Sequence, residues 1–172
     1  MVSLAIQNNI FIVDLASLTY VMTYWLIVTT VENLQVIKEK CVVGISERNT
    51  TAFAEVMEGD KCVIYTRLEK KPAGKTIGPT MTGVFEVVSM GYGRSKIFQA
   101  PPARPSEIFP LRLKVKPASP FIDNAIPFKP LIDKLAFIKH KKHWGSYLQG
   151  RALIPLSEKD YRAIVSSLQK ES

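Results

Sequence analysis

Cysteine and histidine are scarce in this chain, and each shortage removes a class of protein. The 172 residues include two of each. Cys41 and Cys62 both lie in short apolar runs, which predicts small core residues and no disulfide framework. Such a chain is typical of a reducing cytosol, so we expect a cytoplasmic protein. His140 and His143 have no carboxylate or cysteine beside them to complete a metal shell, and the sequence predicts no metal and no cofactor.

Residues 1–21 lack the marks of an export or membrane segment. They have no basic start, and four polar residues interrupt them before roughly 20 apolar residues can follow one another. These residues are Gln7, Asn8, Asn9 and Asp14. We therefore expect neither a signal peptide nor a membrane helix. We interpret residues 1–21 as an N-terminal extension, with Met22 as a possible start of the domain at 22–172. If this extension is ordered, residues 10–13 are expected to form an edge strand.

The common catalytic motifs are incomplete. Gly74-Lys75-Thr76 resembles the end of a phosphate-binding loop, but Glu69 stands where that loop needs its first glycine. Gly91-Tyr92-Gly93 is followed by Lys96 where a dinucleotide fingerprint needs a third glycine. No Ser/His/Asp, Cys/His or paired-carboxylate arrangement can be named. The sequence therefore predicts no catalytic residue.

Positive charge, in contrast, is abundant and uneven. The net charge is +8, and residues 94–151 hold twelve lysines and arginines against three acids, a local charge of +9. The three acids are Glu107, Asp123 and Asp133. A basic half on a neutral remainder favours a polyanionic partner. Nucleic acid is favoured over a membrane because no basic amphipathic helix is evident.

Residues 137–151 combine this charge with aromatic side chains. Lysines and histidines at 139–143 precede Trp144, and Tyr147 follows. Cations can hold phosphates, and a flat aromatic ring can stack on an unpaired base. The alternative is a solvated lysine surface with a core tryptophan. The sequence predicts a stacking wall at Trp144 and phosphate-binding residues at Arg94, Lys96, Lys139, Lys141, Lys142 and Arg151.

Side-chain periodicity predicts the order β-α-β-α-β-β-β-α-β-α. The expected strands are 24–28, 41–45, 61–68, 80–90, 111–116 and 151–156, and the expected helices are 31–40, 50–58, 131–138 and 157–168. Thr29 and Glu32 have the spacing of a capping box, which predicts Thr29 as the N-cap. Residues 69–78 and 117–130 are predicted loops or crossing segments. The long loop 91–106 is of the length that is usually functional or mobile. The order indicates an α+β fold with a bent sheet or small barrel.

Four short segments along residues 23–169 are informative through their order and spacing. They are Tyr24-Trp25-Leu26-Ile27 leading to Thr29-Thr30 and Glu32-Asn33, then Gly44-Ile45-Ser46, then Gly59-Asp60 leading to Val63-Ile64-Tyr65, and Phe137-Ile138 with Trp144, Gly150 and Asp160-Tyr161. Together they resemble the EVE domain family of the PUA-like superfamily, and its short archaeal members above all. YTH domains, which read methylated adenine in RNA, are relatives of this family. The resemblance implies a small barrel of five or six mixed strands flanked by helices, with a pocket for one extruded base.

The resemblance also implies where that pocket lies. The end of the first strand and the helix start after it supply polar contacts to the base, and the segment after the Gly-Ile pair forms another wall of the pocket. Ser46 stands where YTH domains have a cage tryptophan, so a complete aromatic cage is not expected. Trp25 is expected in the core. The implied base-pocket residues are Thr29, Thr30, Asn33, Ser46, Glu47, Tyr65 and Trp144.

The sequence thus predicts a non-catalytic module that takes one modified base of RNA or DNA into a pocket. Three alternatives stay open. One is an adaptor that recognises RNA shape, and another is a small-metabolite sensor. The third is a hydrolase of the related ASCH branch, acting on modified nucleosides or RNA, for which Thr29 and Glu47 are available.

Overall fold

The structure is a computed structural model that describes residues 2–6, 9–13, 21–67, 69–70, 74, 76–118 and 125–170. Its first two strands, β1 (Val2–Ile6) and β2 (Asn9–Val13), pair antiparallel as a separate sheet. The strand expected at 10–13 therefore pairs with β1. Parts of the predicted loops, at 71–73 and 119–124, lie outside the described residues.

A mixed sheet of seven strands forms the centre of the described chain. Its strands are β3 (Tyr24–Thr29), β4 (Val42–Ile45), β5 (Lys61–Thr66), β8 (Thr80–Tyr92), β9 (Leu111–Pro117), β10 (Ala125–Pro127) and β11 (Leu153–Leu156), while β6 (Glu69–Lys70) and β7 (Thr76–Ile77) pair only with each other. The order across the sheet is β11-β3-β5-β8-β9-β4, with β10 also on β8. Only β3 and β5 run parallel; the other ladders among the described strands are antiparallel.

The α+β prediction is confirmed, with two differences. Among the described residues no ladder joins the outer strands β11 and β4, so the sheet is not closed into the expected barrel. The sheet also has one strand more than the upper expectation, because β10 forms in the predicted crossing segment. Pairing with β8 stabilises this three-residue strand, and a pairing across more than 40 residues leaves no local signal in the sequence.

The helices follow the predicted positions with local corrections. Helix α1 spans Val31–Lys40, as expected, but its N-cap is Thr30, whose side-chain oxygen accepts from the backbone N–H of Asn33 at 3.3 Å. Thr29 is the last residue of β3, so its backbone belongs to the strand and the N-cap prediction was wrong by one residue. Helix α3 (Glu158–Lys170) begins after Ser157, whose hydroxyl accepts from the N–H of Asp160.

The remaining helical segments are short. Helix α2 ends at Ala54 (Thr50–Ala54), four residues before the predicted end, because the N–H of Met57 is bonded to the side chain of Asp60 instead of continuing the helix. The described residues also contain 3-10 helices at Glu47–Asn49, Lys129–Lys134 and Lys141–Tyr147. The second replaces the helix predicted at 131–138. In the described residues no helix is long and apolar enough to cross a membrane.

Two apolar layers cover the two faces of the sheet. Alternate residues of β3 separate them: Leu26 packs with the layer that contains α3, and Ile27 with the layer that contains α1. Cys62 is fully buried in the second layer, as predicted. Cys41 is only half-buried, because it ends α1 in a left-handed conformation with φ 53°.

Asp60 is a buried charge that joins three parts of the chain. Its carboxylate accepts hydrogen bonds from the N–H of Thr23 at 3.0 Å, the N–H of Met57 at 2.9 Å and the indole Nε1 of Trp25 at 2.9 Å. Trp25 is 1% exposed, so the prediction that it belongs to the core is confirmed. Removing the carboxylate would leave the buried indole N–H of Trp25 and two partly buried backbone N–H groups without this acceptor.

Asp160 is a second buried carboxylate that accepts hydrogen bonds from another segment of the chain. Its buried carboxylate accepts from the N–H of Ala136 at 2.6 Å and of Phe137 at 3.1 Å, which ties α3 to the segment after the second 3-10 helix. Asp60 and Asp160 both belong to the segments that resemble the EVE family. They stabilise the fold and lie outside the lining of the cavity described next.

Candidate base-binding cavity

A cavity of about 340 Å³ opens where β3 ends and α1 begins. Residues from 28–33, 44–49, 99–109 and 149–152 line it, together with Arg67. Its volume lies at the lower end of the roughly 300–1,000 Å³ of small-molecule pockets. Because β3 and β5 are parallel, their carboxyl ends lie side by side, with Thr29 beside Thr66. This arrangement places the residues that follow both strands around one opening.

The loop at 93–110 forms one wall of the cavity, and Asn33 holds it in place. The side-chain Nδ2 of Asn33 donates to the carbonyl of Gln99 at 3.0 Å, and the N–H of Gln99 donates to Oδ1 of Asn33 at 2.8 Å. Asn33 is 6% exposed. Its amide group is therefore engaged by the loop in both directions.

Two further contacts hold the same loop against the sheet. The guanidinium of Arg112 donates to the carbonyls of Gly93 and Ser95 and lies 4.6 Å from the ring centroid of Phe98. Gly44 lies below this ring, and a Cβ at this position would come within 2.5 Å of Phe98 and 2.9 Å of Phe109. A residue without a side chain is required at position 44 for the loop to approach this closely.

The charges in the lining are four arginines against one glutamate. The glutamate, Glu107, accepts from the hydroxyl of Ser46 at 2.8 Å, from Nη2 of Arg48 at 2.5 Å and from Nε of Arg104 at 2.9 Å. Burial favours a higher pKa for Glu107, but the hydrogen bonds from Ser46 and both arginines outweigh it and hold its pKa below the ordinary value. The carboxylate is therefore ionised at neutral pH.

The other polar groups of the lining are mainly donors. Arg67 and Arg151 are exposed, and their guanidiniums have no partner among the described residues. Asn49 accepts from the N–H of Ala152 at 2.9 Å, and its Nδ2 has no partner within the same part of the chain. Donors exceed acceptors here, so the cavity suits a ligand rich in acceptors.

Five of the predicted site residues line this cavity: Thr29, Thr30, Asn33, Ser46 and Arg151. For Thr30 and Asn33 the structure adds a second role, since Thr30 caps α1 and Asn33 holds the loop. Their contact with a base stays a prediction.

Glu47, Tyr65 and Trp144 lie elsewhere. Glu47 is exposed in a shallow groove beside the cavity. Tyr65 is 4% exposed and packs edge-on against Phe128, with ring centroids 4.8 Å apart. Burial raises the pKa of Tyr65 to about 12. Trp144 is half-buried against the same Phe128, at 5.4 Å, in the layer that contains α3.

The predicted phosphate-binding residues, Arg151 excepted, lie outside the cavity lining. Lys141 donates from Nζ to the carbonyls of Ile132 at 2.8 Å and Leu135 at 2.7 Å, so it also ends a helical turn. Arg94 donates to the hydroxyl of Tyr92 at 3.0 Å. The other three, Lys96, Lys139 and Lys142, are exposed. A phosphate-binding role for these five residues stays a prediction.

Sequence reasoning missed Arg48, Asn49, Arg67, Arg104 and Glu107. One signal was available: the long loop was expected to be functional, and Glu107 is an acid directly after it in a basic half of the chain. A single glutamate among many basic residues indicates that it forms an ion pair with a particular arginine. The residue that it would meet could not be read from spacing, because Ser46 is 61 residues away.

Comparison with known proteins agrees with this architecture. The sequence profile of the EVE domain matches residues 23–167. A UPF0310 protein of Pyrococcus abyssi is 41% identical over 148 residues, which cover 86% of this chain and all of that relative. A UPF0310 protein of Saccharolobus solfataricus is 30% identical over 155 residues, covering 88% of this chain and 97% of the relative.

Among solved structures, the fold is similar to that of human THYN1 in complex with DNA containing 5-methylcytosine. The TM-score is 0.52 at 14% identity, covering 87% of this chain and 99% of the other. At this identity the likeness concerns the fold alone.

Proposed function

This chain belongs to the EVE domain family, and from that premise we propose that its cavity binds one modified base of a nucleic-acid strand without reacting with it. The observation that supports the proposal most directly is the composition of the cavity. It has the volume for a small heterocycle, threonine and asparagine groups for the edge of a base, and an aromatic side chain, Phe109, in its wall. A base taken out of its stack is read by such hydrogen bonds and by stacking.

Thr29 is the residue that we assign to the edge of the base. Its side chain reaches the cavity from the end of β3, and a hydroxyl can donate to a ring nitrogen or carbonyl and accept from an exocyclic amine. Asn49 can add a donor through its Nδ2. Methylated bases are the ligand class that we propose first, because the DNA in the THYN1 complex contains 5-methylcytosine.

The cavity mouth adds affinity that does not depend on the base. We assign Arg67 and Arg151, whose guanidiniums have no partner in the described chain, to phosphates of the bound strand. The exposed cations Arg94, Lys96, Lys139 and Lys142 would attract the strand at longer range, as the uneven charge predicts. We expect this protein to act in a reducing cytosol, because both cysteines carry free thiols.

Binding is a better account of the site than catalysis. A general base must be free to take a proton from the reacting group. Glu107, the carboxylate of the lining, is bonded to three donors and its pKa is lowered, which makes it a weak base. Glu47, the acid that a hydrolase would need, lies in the neighbouring groove.

The test compares Thr29→Val with Thr66→Val. Both replacements keep the shape of the side chain, and the two threonines pair across the parallel strands. The hydroxyl of Thr66 is buried and has no hydrogen-bond partner in the part of the chain that the structure describes, and Thr66 does not line the cavity. Affinity should be measured for short DNA and RNA strands that carry one 5-methylcytosine or one N6-methyladenine, against the unmodified strands.

We expect one modified strand to bind more tightly than its unmodified form. Thr29→Val should reduce this preference about two- to tenfold, the effect of one lost hydrogen bond. Thr66→Val should leave the preference unchanged. Equal affinity for all modified and unmodified strands in the wild-type protein would overturn the proposal.

A further inference from the structure

A second, shallower groove continues from the cavity. It has a volume of about 510 Å³ and is lined by residues 46–48 and 103–108. The two depressions share Ser46, Arg48, Arg104 and Glu107. A ligand that fills the cavity and extends into the groove must therefore pass these four residues.

The shared residues combine a largely covered acid with two half-exposed cations. The side chain of Glu107 is 9% exposed, whereas those of Arg48 and Arg104 are 49% and 47% exposed. Arg48 uses Nε and Nη2 on one carboxylate oxygen, and Arg104 uses Nε on the other. Among the described residues, the Nη1 group of Arg48 and both terminal nitrogens of Arg104 have no hydrogen-bond acceptor, so their hydrogens can bind a ligand at the surface.

This arrangement suits a phosphate. An arginine fork binds two oxygens of a phosphate at once, and a guanidinium that is already fixed loses less freedom when it binds. Glu107 fixes both guanidiniums from below and, through Ser46, ties them to the end of β4. Arg48 and Arg104 carry two positive charges and Glu107 one negative charge, so the three side chains together present a net charge of +1 to the groove.

We propose that Arg48 and Arg104 bind the phosphate next to the nucleotide whose base enters the cavity, and that the strand continues along the groove at 103–108. The inference rests on the proposed function of the cavity. Glu107 is a positioning residue in this arrangement, since it acts on the phosphate through the two arginines. The groove, more than the surface at Lys139–Lys142, then determines the path of the strand.

The experiment replaces one phosphate of the strand at a time. The probe is a short single-stranded DNA with one central 5-methylcytosine, in which a neutral methylphosphonate stands in turn at each position. In the wild-type protein one position beside the modified base should reduce affinity roughly ten- to a hundredfold, the effect of a lost charge-assisted contact.

The arginine variants show which residue meets that phosphate. The variants Arg104→Gln and Arg48→Gln should bind the strand with all its phosphates as weakly as the wild-type protein binds the strand with the methylphosphonate at that position. The methylphosphonate at that position should cause no further loss of affinity in these variants. Arg162→Gln is the matched control, because Arg162 is also exposed and ion-paired, with Glu158 on α3. It should keep the wild-type response.

The variant Glu107→Gln distinguishes a positioning role of Glu107 from a purely electrostatic effect of its charge. If Glu107 only subtracted charge, its neutralisation would increase affinity for every strand. As a positioning residue, it should instead weaken the response to the methylphosphonate at that one position, with the preference for the modified base retained.

The outcomes distinguish this inference from the proposed function. A strand that binds through Thr29 with a base preference, but shows no phosphate position coupled to Arg48 or Arg104, would overturn the inference and leave the proposed function standing. Absence of any base preference would overturn both.

Discussion

Asn33 offers the sharpest test of how the cavity is built. Its amide makes two hydrogen bonds to the backbone of Gln99, which lies 66 residues further along the chain. A neutral hydrogen bond contributes about 0.5–1.5 kcal/mol net, so the pair should hold the loop with about 1–3 kcal/mol. Replacing Asn33 by Ala removes both bonds. The N-cap is kept, because Thr30 bonds to the backbone N–H of Asn33 and not to its side chain.

Hydrogen exchange measures this effect directly. In Asn33→Ala the amide of Gln99 loses its acceptor, and its exchange should accelerate about five- to 150-fold, the range that corresponds to that free energy. Asn33→Asp keeps an acceptor for this amide but cannot donate to the carbonyl of Gln99, so its effect should be smaller. Gln35→Ala is the control, because Gln35 lies on the same helix and its side chain bonds to Glu39 and to no other described residue.

Binding data on the same variants separate two roles of Asn33. If Asn33 holds the loop, Asn33→Ala should weaken binding of modified and unmodified strands together, since the wall that carries Arg104 and Glu107 becomes mobile. Unchanged exchange at Gln99 with loss of the base preference alone would refute this reasoning. Asn33 would then be a direct base contact, as the resemblance to the EVE family implied.

Four further outcomes are expected. Gly44→Ala should cost about 1–3 kcal/mol of stability, since a Cβ there overlaps the ring of Phe98, and should weaken binding of the modified strand; a wild-type denaturation midpoint would contradict the packing. Asp60→Asn should cost about 1–3 kcal/mol in urea denaturation, because one of the two acceptor oxygens is replaced by an NH2 group that cannot accept from Trp25 or the backbone, and an unchanged denaturation midpoint would count against that role. The pKa of Glu107 lies below its ordinary value of 4.5, so its stabilising effect is present above that pH and is lost as the pH falls through the folded-state pKa. The difference in melting temperature between wild type and Glu107→Gln should therefore shrink on acidification, and a difference independent of pH would refute the assignment. Trp144→Ala should reduce stability by about 2–3 kcal/mol, less than a fully buried tryptophan, with base preference kept in the folded protein; a normal melting temperature with affinity reduced tenfold would restore Trp144 as a stacking wall.

The elements that sequence reasoning placed well are those with a local cause. Strand β3 is a run of aromatic and branched side chains, and α1 has an apolar spacing with a threonine before it, so both were predicted within one residue. The errors arose where a contact from outside the segment decides. The side chain of Asp60, three residues beyond Met57, ends α2 early, and pairing with β8, more than 40 residues away, creates β10. Neither contact is visible in the periodicity of the segment that it changes.

The candidate site divides in the same way. Thr29, Thr30 and Ser46 were implied by the resemblance to the EVE family, and all three line the cavity. The other half of the cavity comes from a loop that folds back across more than 60 residues to meet Asn33 and Ser46. Composition identified this loop as long and basic, but the partner of each of its side chains depends on the folded sheet.

The segments that identify the family contain scaffold residues and the residue assigned to the edge of the base, Thr29, but none of the charged residues of the cavity lining. Asp60 and Asp160 lie in the matching segments, and both are buried and bonded to backbone N–H groups that hold the sheet and α3 together. The charges that the cavity shares with the groove, in contrast, come from Arg48, Arg104 and Glu107, which lie outside those segments. A family match of this kind therefore shows the scaffold and leaves the contacts to the strand open. It follows that an EVE protein with other residues at these three positions should keep the fold and the base preference but lose the contact to the neighbouring phosphate, and exchanging the three residues between two members should exchange the response to that phosphate.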